Sequence, residues 1–219
     1  MNLTLAGHIK PHLRGWSHAA ATVAAITLCP IVIVLSPGAR ASAAIFTTAI
    51  ILLFGISAVY HRFRWGIRME AAMKRLDHSM IFVAIAATYT PIGVVVLPDG
   101  PGTLILRVVW IGAAAGIFTQ LFWPHAPRPI LVTLYLSVGW AALPVIDDIW
   151  RAMGVAGFVL MLIGGLLHTI GAVIYATKRP NPWPRWFGFH EVFHVFVIAA
   201  IAVHYVMIAA IALPRGAVG

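Results

Sequence analysis

Charged residues are scarce in this chain of 219 residues. Only 10% are charged, whereas a soluble globular domain carries about 25%. Hydrophobic residues make up 61% of the chain, and the mean hydropathy is +0.94. This composition excludes a water-soluble enzyme or binding module and indicates an integral membrane protein.

Acidic residues and cysteine are rarer still. The six acidic residues are Glu70, Asp77, Asp99, Asp147, Asp148 and Glu191. Any mechanism that needs a carboxylate must therefore use one of these six. The single cysteine, Cys29, excludes an intrachain disulfide and leaves the redox compartment undetermined.

Long apolar runs make up most of the sequence. There are seven, at residues 17–36, 42–61, 76–97, 103–123, 129–146, 152–176 and 189–213. A helix needs about 20 apolar residues to cross a bilayer, and only helices or closed barrels satisfy the backbone there. We predict an all-α integral membrane protein whose seven transmembrane helices form one domain, residues 17–213. Residues 1–16 and 214–219 are its terminal segments.

Basic residues are unevenly distributed between the two sides of this predicted bundle. Eleven of the fifteen Lys and Arg residues fall in the N-terminal segment and in the loops that follow spans 2, 4 and 6. The positive-inside rule predicts a cytoplasmic N-terminus and an external C-terminus. The same asymmetry explains the net charge of +9 without a nucleic-acid partner, and membrane lipids are the expected neighbours.

Several ionisable residues lie at span ends on that basic side. His61 ends the second span, Asp77 begins the third, and His190 and His194 begin the seventh. Because these span ends share one side of the membrane, the four side chains are expected at one depth near the cytoplasmic face. Ionisable residues inside a membrane are costly and mark functional sites.

The spacing of these residues suits a metal. His190 and His194 are four residues apart and share one helical face, and His61 can supply a third nitrogen. Three neutral imidazoles and a water form an open zinc site. Ser57 lies one turn before His61, and Asp77 is a candidate general base. The alternative is that the histidines form hydrogen bonds between helices without metal.

Residues 190–194 also match the H-E-x-x-H signature of zinc proteases, with Glu191 as the base. No Asp or Glu follows Glu191, and His204 lies about 21 Å from His190 along a helix, too far to share an ion. An intramembrane metalloprotease is therefore the less favoured alternative. We expect Glu191 to orient a neighbour or to pair with a basic loop residue.

Two further histidines, His168 and His204, fall within the sixth and seventh spans. They could line the polar path of a pore or transporter, or each could make one hydrogen bond between helices. A receptor-like protein with structural zinc is also possible. The histidines expected at the membrane interface or in loops are His8, His12, His18 and His125.

Five short motifs, taken in order, resemble the progestin and adipoQ receptor family, and specifically its bacterial hemolysin III branch. The motifs are residues 10–16, 57–61, 76–78, 178–184 and 190–194. The resemblance covers nearly the whole chain. One departure is His168, where the family pattern leads us to expect an aromatic residue such as tyrosine.

The resemblance implies a seven-helix protein of the bacterial inner membrane that binds zinc through His61, His190 and His194. The wider superfamily includes alkaline ceramidases, zinc-dependent amide hydrolases that resemble this chain at the same five positions. In them the serine stabilises the oxyanion and the aspartate takes the proton of water, which are the roles implied for Ser57 and Asp77. Bacterial members are linked to membrane-lipid homeostasis and, by name, to haemolysis. We therefore expect a zinc-dependent hydrolase of a lipid amide or ester bond.

Overall fold

The computed structural model describes residues 11–123 and 125–217, and in this part of the chain the regular secondary structure is helical, apart from one isolated β-bridge between Trp183 and Phe187. The α-helices are α1 Trp16–Val34, α2 Arg40–Arg62, α3 Ile67–Pro91, α4 Asp99–Phe122, α5 Arg128–Gly139, α6 Ile146–Thr177 and α7 Phe189–Met207. Short 3-10 or π segments are Pro37–Ala39, Ile92–Val96, Leu143–Val145, Ile208–Ala212 and Leu213–Ala217. The predicted all-α class is confirmed. Residues 1–10 and 218–219 of the predicted terminal segments lie outside the described residues.

Among the described residues, six segments are long and apolar enough to cross a membrane. Five of them contain α1, α2, α3, α4 and α7, and the remaining one, Arg128–Thr177, contains both α5 and α6. At 12 residues, α5 is shorter than the roughly 20 residues of a typical crossing helix. The multi-pass fold is thus confirmed, whereas the seven crossings and the orientation of the termini stay predictions.

Gly154 bends the segment that contains α5 and α6. Its φ of 69° and ψ of −177° are open to glycine and strained for other residues. Beyond the bend α6 runs back along α5. The Arg128 guanidinium lies 5.5 Å from the ring centroid of Tyr175, and Trp140 Nε1 donates to Thr169 Oγ1 at 3.1 Å. These contacts make α5 antiparallel to the second half of α6.

The third helix begins nine residues earlier than the apolar run from residue 76 predicted. Residues 67–75 include four charged residues, yet they form the first turns of α3, which leaves only residues 63–66 between α2 and α3. Asp77 consequently lies inside a helix rather than at its start. The short connection holds the end of α2 beside these turns of α3.

The chain entering α1 is bound to the chain entering α7. The His12 amide donates to the Arg185 carbonyl at 3.0 Å, and the Leu13 amide donates to the Trp186 carbonyl at 3.1 Å. Helix α7 contacts α1 as well as α6, so α1 and α7 are neighbours in the bundle. The bundle thereby brings the starts of α1 and α7 to the end where α2 finishes.

Helices α3 and α4 approach closely at Gly116. A Cβ built there would lie 2.3 Å from Cε1 of Phe82, whose ring is fully buried. We expect Gly116→Ala to lower the free energy of unfolding by about 1–3 kcal/mol, because the ring must move within a packed core. Thermal unfolding of the purified protein in detergent measures this loss.

Gly100→Ala is the matched control, because α4 also contains Gly100 and a Cβ there meets nothing within 4 Å. We expect this variant to unfold at the temperature of the unmodified protein. Equal stability of the two variants would contradict the close approach of α3 and α4.

Candidate metal centre

Three imidazoles meet at one end of the bundle. His61 lies on the last turn of α2, and His190 and His194 lie on the first two turns of α7. One nitrogen from each ring lies within 4.8 Å of the other two, and His61 Nε2 is 3.2 Å from His190 Nε2. All three side chains are buried. The predicted group is therefore brought together, and it could hold a metal ion.

The start of α7 sets the direction of two of these rings. The Gly188 amide donates to Glu191 Oε2 at 2.8 Å, and the Phe189 amide donates to Asn181 Oδ1 at 3.0 Å. These bonds satisfy amides that have no partner within the helix. With the first turn held in this way, His190 and His194 lie on one face in an edge-to-face arrangement, with ring centroids 4.5 Å apart and planes at 65°.

Glu191 also joins α7 to the segment that precedes α1. Its Oε1 accepts a hydrogen bond from Arg14 Nε, and the carboxylate is 1% exposed. Because Oε2 already binds the Gly188 amide, both carboxylate oxygens are engaged. Glu191 thus pairs with a basic residue as expected, and that residue belongs to the N-terminal segment.

The geometry of the cluster fits a tetrahedral metal with nitrogen ligands. Two nitrogens bound to one zinc ion at about 2.0–2.1 Å lie roughly 3.3 Å apart, which matches the 3.2 Å between His61 and His190. Nδ1 of His194 is buried without a hydrogen-bond partner among the described residues. Imidazole ligands suit zinc, copper, iron and nickel. The donor set therefore fits a transition metal.

Asp77 and Ser57 lie beside the cluster. Asp77 Oδ2 is 3.8 Å from His61 Nε2, and Ser57 lies beside the Asp77 carboxylate. Both residues are buried, at 7% and 2% exposure. Ser57 lies one turn before His61 on α2, while Asp77 comes from α3. The five residues chosen from the sequence therefore form one contiguous polar group, and their catalytic roles stay predictions.

His18, which was expected among the histidines at the membrane interface or in loops, is buried within the bundle. Its ring on α1 is 3% exposed and stacks on the His194 ring, with centroids 3.8 Å apart and planes 8° from parallel. Phe54 closes another side at 5.2 Å. The start of the first span lies on the same side as the ends that carry the cluster, so loop parity could have found His18.

A largely apolar cavity begins at the cluster and continues into the bundle. Asp77 and His190 line it near the cluster. His168 and His204 line it farther along α6 and α7, and aliphatic side chains form most of the wall between them. The three histidines, Asp77 and Ser57 thus lie at one end of an apolar cavity.

Comparison with known proteins gives consistent matches. The model of the Haemolysin-III related family matches residues 7–205. The chain is 28% identical to Hemolysin-3 of Bacillus cereus over 170 residues, which cover 78% of this chain and 74% of that protein. It is 29% identical to the Hemolysin-3 homolog of Bacillus subtilis (72% and 71% covered) and 28% identical to the adiponectin receptor protein of Drosophila melanogaster (78% and 42% covered).

The stacked pair of His18 and His194 generates a prediction about metal affinity. An aromatic contact of this kind contributes about 1 kcal/mol, which corresponds to roughly a fivefold change in a binding constant. We expect His18→Ala to weaken zinc binding by about that factor, because the His194 ring loses the surface that orients it. Competition with a fluorescent zinc chelator measures the affinity.

His18→Phe is the matched variant, because it keeps a flat ring against His194 and removes both nitrogens. If stacking is the role of His18, this variant binds zinc nearly as well as the unmodified protein. A loss as large in His18→Phe as in His18→Ala would show that the nitrogens of His18 matter instead.

Proposed function

Since this chain belongs to the haemolysin III-related family, within the progestin and adipoQ receptors, we propose that it is a zinc-dependent hydrolase of a lipid amide or ester bond. The observation that carries the proposal is the group formed by the three histidines, Asp77 and Ser57 at the head of an apolar cavity. Two relatives come from bacteria. We accordingly place the protein in a bacterial inner membrane, with a role in membrane-lipid homeostasis.

In this proposal His61, His190 and His194 hold the zinc ion as neutral ligands. When bound, zinc supplies the Lewis acidity that polarises a carbonyl group and activates water. The three nitrogens leave room for a further ligand, which is typical of catalytic rather than structural zinc sites.

Asp77 and Ser57 supply the proton transfer and the hydrogen bond that hydrolysis needs. Asp77 Oδ2 faces His61 at 3.8 Å and the residue lines the cavity, so its carboxylate is placed to take a proton from water beside the cluster. The Ser57 hydroxyl lies beside this carboxylate. Once Asp77 has taken a proton from water, the single O–H of Ser57 is free to donate to the carbonyl oxygen on which negative charge develops.

The cavity supports a lipid as the substrate. Its wall of aliphatic and aromatic side chains suits an acyl chain, whereas the polar residues are concentrated at the end beside the cluster. A lipid whose acyl chain fills the chamber presents its amide or ester bond to Asp77 and the histidines.

The surroundings of Glu191 support this function over an intramembrane protease. The base of an H-E-x-x-H protease must reach the water at the metal. Here both carboxylate oxygens of Glu191 are engaged, by Arg14 and by the Gly188 amide. The third histidine also comes from α2, upstream of the motif, and not from residues that follow it.

A second candidate is a non-enzymatic membrane protein, such as a receptor-like or haemolytic protein with structural zinc. It is favoured by one observation. The histidines come from α2 and α7, helices that otherwise share few contacts, so an ion would join them. Hydrolysis requires Asp77 as a base. A structural zinc site does not require it, because Asp77 is not one of the three metal ligands.

Zinc content tests the proposed site. We expect about one zinc ion per chain in the purified protein, and a sharp loss in His61→Ala, His190→Ala and His194→Ala, because each removes one of three ligands. Inductively coupled plasma mass spectrometry measures the metal. His125→Ala removes an exposed histidine and serves as the control. Absence of zinc from the unmodified protein, even after zinc is added back, would overturn the proposal.

Asp77→Asn separates catalysis from metal binding. We expect this variant to keep its zinc and to lose about 100-fold or more in the rate of lipid hydrolysis, because the amide accepts no proton. Release of fatty acid from N-acyl and ester lipids in reconstituted vesicles measures the rate. Asp99→Asn, at the start of α4, is the matched control and should keep full activity. Full hydrolysis by Asp77→Asn would exclude the proposed base.

A further inference from the structure

A second pair of imidazoles lies deep in the cavity, away from the metal centre. His168 on α6 and His204 on α7 line the same chamber that begins at Asp77 and His190, and their ring centroids are 5.7 Å apart. His204 follows His190 by 14 residues along the continuous helix α7, a rise of about 21 Å. This pair therefore faces the part of an occupant that is remote from the metal centre.

The protein leaves much of the hydrogen-bonding capacity of this pair unused. His204 Nε2 lies 3.4 Å from the Met161 carbonyl oxygen, while its buried Nδ1 has no partner among the described residues. His168 contacts the ring of His204 and makes no hydrogen bond to any residue in the ranges that the structure describes. Unsatisfied polar groups at membrane depth are costly, so a partner inside the cavity would stabilise both rings.

The local sequence makes room for the pair. A Cβ at Gly164 would lie 2.2 Å from His204 Nε2, so the ring of His204 occupies the space that this glycine leaves on α6. His168 is one turn farther along the same helix, at the position where the family resemblance led us to expect an aromatic residue such as tyrosine. The chain thus places a second imidazole beside the first, within an otherwise apolar wall.

We propose that His168 and His204 form a binding site for a hydroxyl group on the acyl chain, so that the substrates are lipids with a hydroxylated acyl chain. This inference rests on the proposed function, because it takes the cavity as the place of the acyl chain. A neutral imidazole offers one donor and one acceptor, and so does a hydroxyl group. An unsubstituted chain would leave the imidazoles without that partner, and sites built to bind a hydroxyl group discriminate strongly against such analogues.

The distance between the two sites specifies where the hydroxyl group lies. With the carbonyl carbon at the metal centre, a chain extended along α7 reaches the pair only after most of its length. A hydroxyl group beside the carbonyl would contact Asp77 and the metal centre instead. The site therefore selects for a hydroxyl group in the middle or distal part of the chain.

Palmitic acid and 16-hydroxypalmitic acid test the inference, because they differ by one hydroxyl group at the distal end of the chain. We expect the purified protein in detergent to bind 16-hydroxypalmitic acid at least tenfold more tightly than palmitic acid, as measured by isothermal titration calorimetry. Equal affinity for the two acids would overturn the inference and would indicate that water alone satisfies the pair.

Two variants of His168 test whether this imidazole pair causes the preference for the hydroxylated acid. His168→Phe keeps a ring in the cavity wall without polar atoms, and we expect it to bind both acids with the affinity that palmitic acid has for the unmodified protein. His168→Gln keeps a donor and an acceptor and should retain part of the preference. An undiminished preference in a folded His168→Phe, checked by circular dichroism, would overturn the assignment to this pair.

Measurements on the protein with and without zinc separate this inference from the proposed function. A preference for 16-hydroxypalmitic acid that persists after zinc is removed, together with no hydrolysis of any lipid by the zinc-loaded protein, would support the hydroxyl site and overturn the hydrolase. Hydrolysis of hydroxylated and plain lipids at the same rate and affinity would support the hydrolase and overturn the hydroxyl site.

Discussion

Polar groups inside a bilayer have no water to bind, and this constraint accounts for most of the structure. It requires continuous helices, because only these satisfy the backbone within one segment. It also requires that a buried charge such as Glu191 meet an opposite charge, which Arg14 provides. The uncharged polar side chains follow the same rule. His61, His190 and Asp77 lie together, where each is a polar neighbour for the others.

The parts of the site that sequence reasoning predicted are those set by helix periodicity and by the parity of the spans. His190 and His194 share a face because they are four residues apart, and this holds in any α-helix. His61 and Asp77 lie at the same end of the bundle as His190 and His194, because each crossing reverses the side of the membrane. These arguments need only the order of the apolar runs, so they are insensitive to how the helices pack.

The parts that sequence reasoning missed depend on packing. His18 stacks on His194 because α1 lies beside α7, a neighbour relation that an order of spans does not specify. The partner of Glu191 could be named only as some basic residue, since the link to Arg14 spans 177 positions in the chain. Residues 67–75, four of which are charged, belong to α3 because a helix can extend beyond the lipid. Hydropathy identifies only the part of a helix that lies within the lipid, so it missed these turns.

The contact between Arg14 and Glu191 has a consequence for biosynthesis. The segment that carries Arg14 emerges from the ribosome before α7. Helix α7 carries its partner Glu191 and two of the three clustered imidazoles. A truncated chain that lacks α7 would carry a single imidazole of the cluster and an uncompensated arginine. The centre can therefore be completed only after α7 has been inserted, and a bound ion would mark a polypeptide that has been synthesised at least through α7.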